Sequence, residues 1–181
     1  MSTTVMLTAV GRDRVGIVAE VSDLLFKLGC NLLDSSMTLL RGEFAIILMV
    51  DLPEGQSIEQ LEAQLPAVEE RMGLSIHVRQ LGEDELKQPA PGGVPHMISV
   101  YGADRPGIVS RITRKLADLG INITDVETKS TGEEPKPIFV MLLEVSVPES
   151  LPTRAVESAL KEASDGLGVD VSVQVLEVYE L

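Results

Sequence analysis

A short stretch that could bind an anion occurs twice, as residues 11–18 (GRDRVGIV) and 102–109 (GADRPGIV). Each copy follows a strand-like apolar run and opens a helix-like run. The glycine ahead of the helix, Gly16 or Gly107, has no Cβ and can adopt a positive φ. The N–H groups of the first helical turn have no partner within the helix, so they point at whatever lies in front of them. The motif therefore predicts a small polar cradle suited to a carboxylate or another small anion.

The same residues also fit a purely structural role. Asp13 and Asp104 are either helix-capping residues or partners for a ligand ammonium group. Arg14 and Arg105 either hold an anionic ligand or lie on the surface, solvated or ion-paired. A single short glycine motif is a weak signal, but two copies in matching contexts favour a functional interpretation.

Charge and composition exclude several classes of function. The net charge of −13 argues against direct contact with nucleic acid, which needs a basic surface. No apolar run reaches the ~20 residues that cross a membrane, and the N-terminus lacks a basic leader. The single cysteine, Cys30, excludes an internal disulfide and fits a reducing cytoplasm. We therefore expect a soluble, cytoplasmic protein with no membrane partner.

Catalytic and metal-binding patterns are missing from the sequence. One cysteine and two distant histidines, His77 and His96, do not form a cluster at metal-ligand spacing. The sequence contains neither a nucleophile elbow nor a phosphate-binding loop. Since acid, base and nucleophile cannot be assembled from these residues, we expect no enzyme activity and no cofactor.

The chain repeats with an offset of 91 residues, which aligns Gly11 with Gly102 and Asn31 with Asn122. Each copy reads as strand, helix, strand, strand, helix, strand. That order predicts an α+β protein of two ferredoxin-like βαββαβ domains, with antiparallel sheets and helices on one face. Ser57 and Gln60 form a capping box for the second helix, which Pro66 is expected to kink or shorten. Residues 1–82 and 96–181 are the predicted domains, joined by a charged, Pro- and Gly-rich linker at 83–95.

The doubled motif resembles the ACT domain, an amino-acid-sensing module. The resemblance rests on Asp-Arg-(Val/Pro)-Gly-Ile-Val, an amphipathic helix and Gly-x-Asn-(Leu/Ile)-x-Asp, and it covers residues 3–81 and 96–179. Two such domains filling a short chain resemble the family of glycine cleavage repressors. One departure is Val15, where the second copy has Pro106, so we expect either that the two sites differ in affinity or that only one of them is functional.

The resemblance also implies where a ligand binds. ACT domains commonly pair through their second strands, so that the glycine turn of one domain meets the asparagine that begins the second strand of another. Backbone N–H groups would receive the ligand carboxylate, while the asparagine amide and the aspartate would hold the ligand. The implied ligand-binding residues are Asp13, Arg14, Val15, Gly16, Ile17, Asn31, Asp104, Arg105, Pro106, Gly107, Ile108 and Asn122.

The family resemblance further implies a non-enzymatic regulator. It would bind a small amino acid, with glycine as one candidate, and control a protein partner through a shared conformational equilibrium. That partner is a transcriptional activator in the first interpretation and a metabolic enzyme in the second. A ligand-free scaffold is the third interpretation, and a homodimer is compatible with all three.

Overall fold

The computed structural model describes residues 3–86, 92–132 and 137–176. The chain divides into two compact units, Met1–Gln88 and Pro89–Leu181. Of the predicted domains and linker, residues 1–2, 87–91, 133–136 and 177–181 lie outside the described residues. No helix among the described residues is long and apolar enough to span a membrane.

Unit 1 folds in the predicted order, with one helix interrupted and one short helix added. Its elements are β1 (Thr3–Arg12), α1 (Ile17–Lys27), β2 (Asn31–Leu40), β3 (Glu43–Leu52), α2 (Ile58–Glu62), α3 (Leu65–Met72), β4 (Leu74–Gln80) and α4 (Glu83–Leu86). The sheet order is β2-β3-β1-β4 and every neighbouring pair is antiparallel. This arrangement confirms the ferredoxin-like fold.

Unit 2 repeats the same topology. Its elements are β5 (Val94–Ala103), α5 (Ile108–Asp118), β6 (Asn122–Thr131), β7 (Ile138–Val147), α6 (Thr153–Ala163) and β8 (Val169–Val175). The sheet order is β6-β7-β5-β8, again antiparallel throughout. Each unit therefore places its first strand in the middle of a sheet, with the glycine turn at that strand's end.

Alternation along the strands explains how each unit builds its core. In β1 the residues Val5, Leu7 and Ala9 are fully buried, because successive side chains point to opposite faces. The buried face of α1 meets them with Ile17 and Val21, spaced for one side of a helix. Burial thus fixes both the strand that leads into the glycine turn and the helix that leaves it.

Two local signals in unit 1 act as the sequence predicts. Ser57 Oγ accepts from the Gln60 N–H, and Gln60 Oε1 accepts from the Ser57 N–H, which confirms the capping box. Pro66 lies at the start of α3, and the predicted single helix is divided into α2 and α3. A proline is tolerated in the first turn of a helix but not in its interior, so the break falls just before it.

The segment predicted as a charged, Pro- and Gly-rich linker is partly structured. Residues Glu83–Leu86 form the helical turn α4, and the Gly82 N–H and the Arg79 guanidinium both donate to the Glu85 carboxylate, at 2.9 and 2.6 Å. Those two bonds hold the pKa of Glu85 below its ordinary value. At the other end, Val94 and Pro95 already belong to β5. The domain boundaries 1–82 and 96–181 stay predictions.

Candidate functional site

Each glycine turn begins where the central strand passes unusually close to a neighbouring loop. A Cβ built on Gly11 would lie 2.4 Å from the Gly73 carbonyl oxygen, and one on Gly102 would lie 2.3 Å from that of Gly168. Real Cβ atoms essentially never approach so closely. Glycine is therefore required at both positions by the backbone contact itself.

The turn is then fastened to the hairpin between the second and third strands. The Asp13 N–H donates to the Gly42 carbonyl at 2.8 Å, and the Asp104 N–H donates to the Pro137 carbonyl at 3.1 Å. The same backbone bond thus occurs in both units. It places each aspartate between its central strand and the start of the next helix.

Gly16 and Gly107 are the N-cap residues of α1 and α5. Their φ angles are 96° and 98°, a left-handed conformation that favours glycine. Neither helix has a side-chain cap. The interpretation of Asp13 and Asp104 as helix caps is therefore wrong: the glycines occupy the cap positions, and each aspartate lies three residues earlier.

The first-turn N–H groups remain available. No described residue accepts a hydrogen bond from the N–H groups of Gly16 and Ile17 or of Gly107 and Ile108. The carbonyl oxygens of the two glycines accept from Glu20 N and Arg111 N, which closes the first helical turn. A cradle of donors at a helix N-terminus attracts negative charge and suits a carboxylate.

The two cradles differ in their surroundings. Ser130 Oγ donates to Asp104 Oδ2 at 2.6 Å, which orients that carboxylate. In unit 1 the equivalent position is Leu39, since Leu39 pairs with Phe44 as Ser130 pairs with Phe139. A leucine cannot hold Asp13 in the same way. This difference adds to the predicted one between Val15, which is fully exposed, and Pro106.

The side chains of Arg14 and Arg105 lie against the loops that precede β4 and β8. The Arg14 guanidinium covers Gly73, with Nη2 3.2 Å from the point where a Cβ would lie. Arg105 covers Gly168 in the same manner and donates from Nη1 to the Gly166 carbonyl at 3.2 Å. Arg105 is thus hydrogen-bonded to this loop, and Arg14 lies beside the corresponding loop.

The two asparagines lie at the far end of their own sheets. Asn31 pairs with Asp51, which in turn faces Thr4 at the start of β1. Gly11 lies seven residues further along that strand, about 24 Å away at 3.4 Å per residue. Asn122 begins β6 in the corresponding way. Within one unit, therefore, the structure brings residues 13–17 or 104–108 together but does not bring the asparagine to them.

A bulge follows each asparagine. The register of the second strand shifts between Leu32 and Asp34 in unit 1 and between Ile123 and Asp125 in unit 2. Bulges bend an edge strand and often lie next to functional sites. Single-sequence reasoning missed these bulges, because a one-residue shift leaves no mark on the alternation of an almost fully exposed strand.

Comparison with known families matches this architecture. ACT domain family models match residues 3–79 and residues 96–163. The chain belongs to the ACT domain family. Both ACT domains carry the glycine turn described above, and together they account for most of the chain.

Two kinds of known protein are similar in sequence to this chain. A UPF0237 protein of Methanopyrus kandleri is 37% identical over 78 residues, which is 42% of this chain and 87% of that protein. The glycine cleavage system transcriptional repressor of Escherichia coli is 25% identical over 173 residues, 94% of this chain and 89% of the repressor. A crystal structure of a Galdieria sulphuraria protein has a TM-score of 0.78 at 28% identity, covering 98% of this chain and 100% of that one.

Proposed function

We propose that this protein is a non-enzymatic regulator that binds a small amino acid at its glycine turns. The proposal is supported by the two first-turn cradles, whose N–H groups donate to none of the described residues and which each follow an aspartate three residues before the N-cap glycine. The donors suit the carboxylate of an amino acid, and Asp13 or Asp104 suits its ammonium group. The tandem ACT domains and the similarity to a repressor support a regulatory role.

Glycine and serine are the first ligands to test. A site that consists of backbone N–H groups and one carboxylate recognises the carboxylate and the ammonium group of an amino acid. It offers few contacts to a large side chain. Asn31 and Asn122 complete the site in this proposal. Each would bind the ligand held by a glycine turn of another ACT domain.

The proposed output is control of transcription through a protein partner. A surface with a net charge of −13 repels DNA, so the regulator would act on a DNA-binding protein rather than on the duplex. Ligand and partner would then be linked by a coupling free energy, and the partner's affinity for this protein would change when the amino acid binds. Capture of a metabolic enzyme instead of a transcription factor would change the identity of the partner and leave the sensor intact.

Isothermal titration calorimetry of the whole chain tests amino-acid binding. The standard amino acids, glycine and serine first, are titrated into the wild type and into Gly107→Val, with Gly120→Val as the matched control. Gly107 and Gly120 both have positive φ and open space around them, so the backbone strain of valine is similar, but only Gly107 is in a cradle. Circular dichroism confirms that both variants are folded.

We expect saturable heat with the wild type and the control, and a loss of the unit 2 site in Gly107→Val. The same experiment with Gly16→Val separates the two sites. If no amino acid produces heat, or if Gly107→Val and Gly16→Val both bind like the wild type, the sensor proposal is wrong and a ligand-free scaffold takes its place.

A further inference from the structure

Helix α1 carries a row of two acids and an aromatic ring, in which Asp23 and Phe26 are exposed and Glu20 is partly buried. Glu20, Asp23 and Phe26 follow one another at intervals of three residues, and residues three apart are neighbours on a helix surface. The Phe26 side chain is 82% exposed, although the chain has only three phenylalanines. An exposed aromatic ring among charged residues is typical of a protein–protein contact, where aromatic side chains are enriched.

Helix α5 carries the opposite row at the structurally equivalent positions. Arg111, Arg114 and Ala117 replace the acids and the aromatic ring, 91 residues further along the chain. They line an open depression of about 770 Å³ together with Lys115 and Asp118. The remaining lining residues are small, namely Ser110, Thr113 and Ala163. The two acids and the large ring of α1 therefore correspond to two basic side chains and a small side chain in α5.

The existing partners of these residues are weak. Glu20 forms an ion pair with Arg71, and Arg111 Nη1 donates to the Asp165 carbonyl at 3.4 Å. Asp23 and Arg114 have no hydrogen bond or ion pair with any described residue. Exposed ion pairs contribute about 0–1 kcal/mol to stability, so both rows can change partners at little cost.

We propose that these rows dock two copies of the chain, with α1 of one copy lying on α5 of the other. Asp23 of one copy pairs with Arg114 of the second, and Phe26 enters the depression above Ala117. Two α1 rows would bring acids together and two α5 rows would bring bases together. Only the pairing of an α1 row with an α5 row is complementary in charge. Repulsion between like charges disfavours the α1–α1 and α5–α5 pairings.

The overall charge makes this selectivity stronger. Each copy carries a net charge of −13, so two copies repel at long range. The row of Arg111 and Arg114, with Lys115 beside it, locally reverses that charge and gives an acidic surface a place to bind. Because the groups are solvent-exposed, added salt screens the attraction, and the contact weakens as ionic strength rises.

Sedimentation equilibrium of the full chain at low salt tests the proposal. The variants are Asp23→Arg, Arg114→Asp, the two combined, and Phe26→Ala. Glu62→Arg is the control for Asp23→Arg, since Glu62 is another exposed helical acid and the change in net charge is the same. All the substituted side chains are exposed, and circular dichroism checks that each variant is folded.

We expect a wild-type dimer whose dissociation constant rises about tenfold or more in each single charge reversal. The combined variant recovers wild-type affinity within a few fold, because the two substituted side chains pair again with their charges exchanged. Phe26→Ala weakens the dimer without any change in charge, and Glu62→Arg does not weaken it.

Two results would overturn the proposal. One is a chain that stays monomeric at every concentration. The other is a dimer that tolerates both single reversals, which shows that another surface joins the copies. Neither result bears on amino-acid binding, which calorimetry measures independently.

Discussion

Replacing Gly102 by alanine tests whether glycine is needed there because the backbone is closely packed, rather than because it adopts a conformation that only glycine favours. The new Cβ would lie 2.3 Å from the Gly168 oxygen and 2.7 Å from the Cα of Val169, so both nearest atoms are backbone. To reach 3.0 Å, β5 and the start of β8 must separate by about 0.7 Å. The Ala103 N–H bond to the same oxygen, now 3.2 Å, would then be lost.

The expected cost follows from these contacts. Overpacking costs about 1–3 kcal/mol and the lost hydrogen bond about 1 kcal/mol. The smaller entropy of an unfolded chain with alanine returns about 0.4–1 kcal/mol. We therefore expect Gly102→Ala to lower the free energy of unfolding of unit 2 by about 2 kcal/mol, a fall in Tm of about 10 °C for a domain of this size.

Gly120→Ala is the control, because Gly120 has φ of 68° and no atom within 4 Å of a Cβ. Its cost is conformational alone, about 1 kcal/mol or less after the same entropy correction. Urea unfolding followed by circular dichroism measures both variants. Equal losses in Gly102→Ala and Gly120→Ala would refute the claim that backbone contact dictates Gly102.

Three further predictions concern residues outside the cradles. His96 is buried, with Nδ1 2.8 Å from the Val94 oxygen and Nε2 2.9 Å from Thr153 Oγ1. Thr153→Val leaves the buried ring without this partner and should lower the free energy of unfolding in urea by about 1–3 kcal/mol, and an unchanged free energy contradicts this. Ser57→Ala removes a capping-box bond and should cost about 0.5–2 kcal/mol, with Ser75→Ala as the neutral control. Burial raises the pKa of the Cys30 thiol, so at pH 8 an aromatic disulfide reagent should react with Cys30 more slowly than with free cysteine. Urea should remove the difference in rate, and equal rates in the folded protein would disprove the prediction.

The repeated domain could be predicted from the sequence because each local signal agrees with the others. Apolar alternation predicts the central strands, helical spacing predicts α1 and α5, and the capping box predicts the start of α2. Each of these signals depends on neighbouring residues alone. The offset of 91 residues supports the central strands and the helices α1 and α5 a second time, since both copies carry the same pattern, whereas the capping box occurs in unit 1 alone.

What the sequence did not reveal depends on distant contacts. The sequence shows His96 only as an isolated histidine, but Thr153, 57 residues away, forms a hydrogen bond with its ring and permits burial. The Ser130 bond to Asp104 likewise joins residues 26 apart. Capping was one of the two roles open to the aspartates, because the capping rule considers residue type alone, whereas the positive φ of Gly16 and Gly107 places those glycines at the cap.

An NMR titration directly observes the first-turn N–H groups, to which we propose that an amino-acid carboxylate binds. Glycine is added to the ¹⁵N-labelled chain while the backbone amide signals are followed. Saturable shifts at Gly107 and Ile108, at Gly16 and Ile17, or at both pairs are the predicted result. Saturable shifts confined to other residues, or unchanged signals from both pairs at high glycine concentration, would contradict carboxylate binding at the glycine turns.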